Sequence, residues 1–114
     1  MLYNNGKKLI KKTKIADNLF LRFKGLMFED KKNFDYALIF KFPKASKIGT
    51  SLHMLFVFFP IDVLFLNAEK KVVDKTTMNP WQLNYTPKKE AKYVIEIPKG
   101  KGKEVKISDL IEWK

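Results

Sequence analysis

Apolar positions along the chain gather into a few runs with different periods. From Ala91 to Ile97 the alternation is regular: Ala91, Tyr93, Ile95 and Ile97 interleave with Lys92, Val94 and Glu96. That is the period of a strand with one face in a core. Glu96 shares the parity of Lys92 and is expected to face solvent or to pair with Arg22. Tyr36 to Phe42 reads Tyr-Ala-Leu-Ile-Phe-Lys-Phe, a strand dense in β formers. The most apolar stretch, Leu52 to Leu66, is broken by Pro60 and predicts two buried strands, Leu52 to Phe58 and Ile61 to Leu66, around a turn. Asn67 to Lys70 turns the chain into a more polar strand, Lys71 to Thr76. A lysine-flanked Leu9-Ile10 pair between Lys7 and Lys12 predicts a short edge strand, where lysines resist unwanted pairing.

One segment has a helical period. Leu19, Phe20, Phe23, Leu26 and Met27 recur at spacings of one, three and four, after Asp17 or Asn18 as a cap and with Gly25 near the end. Arg22 lies at the border of that stripe. Pro43 to Thr50, Asn79 to Pro87 and Pro98 to Lys103 are expected to be loops. Without a repeat or a linker in its 114 residues, the chain is expected to be a single domain, 1–114. The fold class is mainly β (small α+β): a curled or barrel-like, mostly antiparallel sheet with one short helix, closure protecting the edges.

Composition narrows the chemistry. There is no cysteine, which excludes disulfides, thiolate metal sites and cysteine nucleophiles. The one histidine, His53, cannot form a multi-histidine metal site within a single chain, so no metal is expected, and no residue pattern calls for a cofactor. The longest apolar stretch holds 15 residues, short of the roughly 20 that span a bilayer as a helix, and it contains Pro60 and Asp62. No export-signal core follows the N-terminal methionine, so a cytoplasmic location is expected. The net charge is +11, but every basic residue other than Arg22 is lysine. Such a surface attracts anions without the planar, bidentate contacts that arginine makes. Weak, nonspecific nucleic-acid binding through Lys99, Lys101, Lys103 and Lys106 is therefore one functional reading.

Four elements recur in a recognisable order. They are Arg22-Phe23-Lys24-Gly25-Leu26-Met27, the run from Leu52-His53-Met54 to Ile61-Asp62 and Leu66, Asn79-Pro80-Trp81, and Val94 to Gly100. In that order they resemble a widespread bacterial and archaeal family, domain of unknown function 192, over about residues 16–109. The resemblance implies a compact, mainly β domain and brings no activity, substrate or cofactor with it. Two departures stand out. Asn67-Ala68-Glu69-Lys70 replaces an Asp-Gly type of tight turn, and Gln82 follows Trp81 where an arginine is common in the family.

His53 and Asp62 are the only ionisable residues between Ser51 and Asn67. If residues 57–60 form the turn, the two become diagonal neighbours on one face, with backbones roughly 7–8 Å apart. A one-residue slip would put them on opposite faces. Asp62 could then fix the tautomer of His53, with Arg22 as the positive partner. The sequence supports this as a structural pair at least as well as a functional one. The expected function is a small non-catalytic binding domain with a groove near Arg22, His53, Asp62 and Trp81, taking a small or acidic ligand. The alternatives are the lysine-borne polyanion binder and, more remotely, a hydrolase using His53 and Asp62.

Overall fold

The computed structural model describes residues 1–18, 25–50, 53–54, 56–82 and 84–114. Among the described residues eight strands form two sheets. They are β1 (Leu2–Asn4), β2 (Lys7–Ile10), β3 (Lys12–Ala16), β4 (Tyr36–Ser46), β5 (Ile61–Leu66), β6 (Val72–Met78), β7 (Ala91–Pro98) and β8 (Ile111–Trp113). A three-stranded sheet has the order β2-β1-β8 and a five-stranded sheet the order β3-β4-β7-β5-β6. Every pairing is antiparallel except β3 with β4.

Two features of the expected fold are corrected. Both sheets are open, with ends at β2 and β8 and at β3 and β6, so the chain is not a barrel or a curled sheet. Edge protection comes from charge instead: β3 carries Lys12 and Lys14, and β6 carries Lys75. The described residues hold no α-helix, only 3-10 turns at Lys31–Asn33 and Ile48–Thr50. Most of the expected helical segment lies outside the described residues, and its described end, residues 25–28, is a turn. Gly25 there has φ 48° and Phe28 φ 63°, a left-handed backbone that no α-helix contains.

The large sheet is covered on both faces, which explains its apolar strands. All six residues of β5 are buried. One face presents Leu38, Phe40, Val63, Phe65, Met78 and Val94 to Leu26, Phe34, Met54, Val57 and Phe59 from the connecting segments. The other presents Ala37, Ile39, Leu64, Leu66, Ile95 and Ile97 to Leu2, Ile10 and Ile111 of the small sheet and to Val105. The parallel β3–β4 pair requires a long crossover. Leu26 and Phe34, which lie on it, place the crossover over the first face.

β5, β6 and β7 follow their expected spans closely, because their β-former runs are bounded by turn residues, and β4 begins where expected. The described residues of the run at 52–58 hold no strand. Residues 53–54 and 56–60 form an irregular segment packed over the first face, and Ile61 pairs with Met78 and Pro98. Conversely β4 runs on through Pro43 to Ser46, its register with β7 shifting between Lys41 and Ser46. A proline is tolerated where the ladder is already irregular.

Candidate functional site

Asp62 lies on β5 with its side chain on the second face, under the loop that follows β7. It is buried, and its carboxylate is used up by that loop and by β6. Thr77 Oγ1 donates to Oδ1 at 2.8 Å, while the Gly100 and Gly102 backbone N–H groups donate to Oδ2 at 2.8 and 3.0 Å. Gly102 packs so closely that a Cβ there would stand 3.2 Å from Oδ2, and Gly100 has φ 95°. Lys75 Nζ donates to the Gly102 carbonyl at 3.1 Å. Asp62 therefore anchors the loop that displays Lys99, Lys101, Lys103 and Lys106, all four of them exposed.

The hairpin that would set His53 beside Asp62 is not formed. His53 is half-buried in the segment before Met54, and Arg22 lies outside the described residues. Trp81 belongs to a different constellation. The Met54 N–H donates to the Gln82 carbonyl at 2.7 Å, and the Trp81 N–H donates back to the Met54 carbonyl at 3.1 Å. The Phe28 N–H donates to the Phe56 carbonyl at 2.8 Å. Three connecting segments are thus laced together by main-chain bonds. Gln82 braces the third, its Oε1 accepting the Asn79 N–H at 3.2 Å.

At this junction four aromatic rings stand out of the surface. Phe28 is 69 % exposed, Phe58 58 %, Trp81 44 % and Phe56 38 %. Phe28 stacks on Phe56 with centroids 4.7 Å apart, and Trp81 meets Phe56 and Phe58 edge-on at 5.0 and 5.7 Å. Along the segment the side chains alternate, Val57 and Phe59 buried in the core and Phe56 and Phe58 outside. Phe28, Phe56 and Trp81 hold φ of 63°, 57° and 63°. A left-handed backbone costs a bulky residue about 1–2 kcal/mol, and such strain concentrates where geometry serves function. Sequence reasoning missed Phe28, Phe56 and Phe58 because phenylalanine in apolar runs reads as core.

Glu96 is the other surprise. On β7, the central strand, it sits between Leu38 of β4 and Val63 of β5 on the first face. Sequence parity put it in solvent or against Arg22. The structure buries it, because the first face is covered as fully as the second. Among the described residues its Oε1 has no hydrogen-bond partner, and burial pushes its carboxyl up to about 8. Nearby Tyr36 is pushed up to about 12 by burial, with Glu29, Glu96 and Asp35 adding to it.

The same fold occurs elsewhere. A crystal structure of a protein of unknown function from Novosphingobium aromaticivorans matches with a TM-score of 0.76 at 21 % identity, covering 89 % of this chain and 74 % of that one. A UPF0127 protein of Pyrococcus furiosus is 43 % identical over 110 residues, covering 95 % of this chain and 91 % of its own length. A UPF0127 protein of Thermococcus kodakarensis is 44 % identical over 110 residues, covering 95 % of this chain and 68 % of its own. The model of the DUF192 family, described as "Uncharacterized ACR", matches residues 2–112, beyond the span expected from the motifs, and the chain belongs to that family.

Proposed function

We propose that the chain is a non-catalytic binding domain whose contact surface is the aromatic platform of Phe28, Phe56, Phe58 and Trp81, and whose partner is an apolar segment of another protein. One observation carries this reading: three separate connections, tied together by main-chain hydrogen bonds and strained at three of the four residues, all deliver rings to one exposed patch. Exposed clustered aromatics of this kind mark interaction sites, and Trp and Phe supply large contact area with few rotatable bonds.

The placement of charge favours a protein over a nucleic acid. The platform grows from segments covering the first face of the large sheet, whereas the Lys101–Lys106 part of the lysine loop packs through Val105 on the second. A single strand stacked on the rings would need phosphate-binding lysines beside them. Within two positions of the rings in sequence the polar residues are Glu29, Asp30, Asn79 and Gln82, and the first lysine, Lys31, lies three beyond Phe28.

The test is selection of a displayed peptide library on the immobilised chain, with counter-selection on a Phe58→Ser, Trp81→Ser double variant. Peptides rich in apolar residues that bind the wild type and not the variant are expected. Failure of every selected peptide to distinguish the two would overturn the reading. Salt-sensitive binding of single-stranded RNA that the double variant loses would replace it with the nucleic-acid reading.

A further inference from the structure

A concave feature is lined by residues other than the four platform rings. Lys31, Phe34, Phe59, Pro60, Pro98 and Lys99 line a cleft of about 270 Å³. Its walls are apolar: Phe34 and Phe59 are buried with centroids 5.6 Å apart, and two prolines complete the lining. The two lysines come from different elements, Lys31 from the 3-10 turn of the crossover and Lys99 from just beyond β7.

Among the described residues neither ammonium has a carboxylate within 4.0 Å. Asp30, the nearest acid in sequence, accepts from the Lys32 backbone at 3.2 Å and faces Lys32 Nζ at 4.0 Å. Among the described residues the remaining ion pair is Lys12 with Asp35. Glu96, one pleat behind Pro98 on the same face, keeps its proton at neutral pH, so the sheet beneath the cleft adds no negative charge. Two unpaired cations over an aromatic-walled hollow have a definite complement, a small flat apolar body carrying an oxyanion. The volume is just below the range of drug-sized sites, which suits a small ligand.

We infer that this cleft is a binding site for a small aryl or similarly flat oxyanion, its carboxylate or phosphate held between Lys31 and Lys99 and its apolar body packed on Phe34 and Phe59. The site is independent of the aromatic platform. Charge-assisted hydrogen bonds to the two ammonium groups supply the anion selectivity, and burial of the flat body supplies the preference over a bare ion.

The experiment is a two-dimensional amide NMR titration of the full chain with phenyl phosphate and with benzoate. Inorganic phosphate and benzyl alcohol serve as the charge-only and ring-only controls. The expected result is saturable shifts at Lys31, Phe34, Phe59 and Lys99 with at least one aryl anion, at least about tenfold tighter than with either control. The tighter of the two anions identifies the oxyanion. Lys31→Met and Lys99→Met are each expected to weaken binding about tenfold, and both residues are exposed enough to change without harm to the fold. The inference is overturned if inorganic phosphate binds as well as the aryl anions, if the methionine variants bind like the wild type, or if no site saturates. Shifts centred on Phe28, Phe58 and Trp81 would also overturn it, while leaving the platform reading intact.

Discussion

Replacing Glu96 with glutamine isolates the energetic cost of a carboxylate at the centre of a sheet. Burial pushes the carboxyl up to about 8 from an ordinary 4.5, so the folded chain holds this proton more tightly than the unfolded one. The stability it contributes is therefore complete below pH 4.5, declines as the pH rises, and is gone above about 8. The slope over that interval is ~1.4 kcal/mol per pH unit, and the whole interval amounts to ~5 kcal/mol. Domains of this size are stable by roughly 5–15 kcal/mol, so this one side chain decides a large fraction of the alkaline stability. Glutamine has nearly the same shape and cannot ionise. Urea unfolding of both proteins from pH 5.5 to pH 9 reads the difference. The wild type is expected to lose about 3 kcal/mol more than Glu96→Gln across that range, a relative midpoint shift of roughly 1–3 M urea. Every other titrating group is common to both proteins and cancels in the comparison. Parallel pH profiles would refute the argument, because a carboxylate that ionised freely in the fold would cost nothing.

Other outcomes follow from the same geometry. Asp62→Ala removes the acceptor for Thr77 and for two loop amides, and a loss of about 3 kcal/mol is expected in chemical unfolding. Amide exchange should then speed up across residues 100–105, and unchanged protection there would contradict the anchoring role. At Phe28, with φ 63°, glycine should be more stable than alanine by about 1 kcal/mol, since both lose the ring but only alanine keeps the left-handed cost. Equal melting temperatures for the two variants would count against that strain. Tyr85, whose hydroxyl donates to Asp74 at 2.7 Å, is pushed up to about 12 by burial and by that carboxylate. Absorbance titration should therefore show two late-ionising phenols, Tyr36 and Tyr85, of which Tyr85→Phe removes one, and loss of amplitude near pH 10 instead would refute the assignment.

The sequence by itself determined the β character and most of the large sheet. β4, β5, β6 and β7 are legible because their β-branched and aromatic runs end at prolines, asparagine or glycine. It also determined the family, through motifs spread over most of the chain. Tertiary structure decided the rest. Lys12 to Ala16 carries too little apolar pattern to read as a strand, and only the neighbouring edge of β4 makes it β3. Residues 52–58 have the composition of a strand, yet the main-chain bonds between Met54 and residues 81 and 82 hold Met54 off the ladder. Glu96 shows the limit most sharply. Its alternation with Ile95 and Ile97 is a correct strand signal, but alternation names two faces without saying that one meets water. Here the crossover and residues 53–54 and 56–60 cover the first face, so a residue placed by parity in solvent lies in the core. The functional surface was hidden for the converse reason. Phe28, Phe56 and Phe58 look like core in sequence, and left-handed backbones at two of them help turn their rings outward, a conformation no local pattern predicts for phenylalanine.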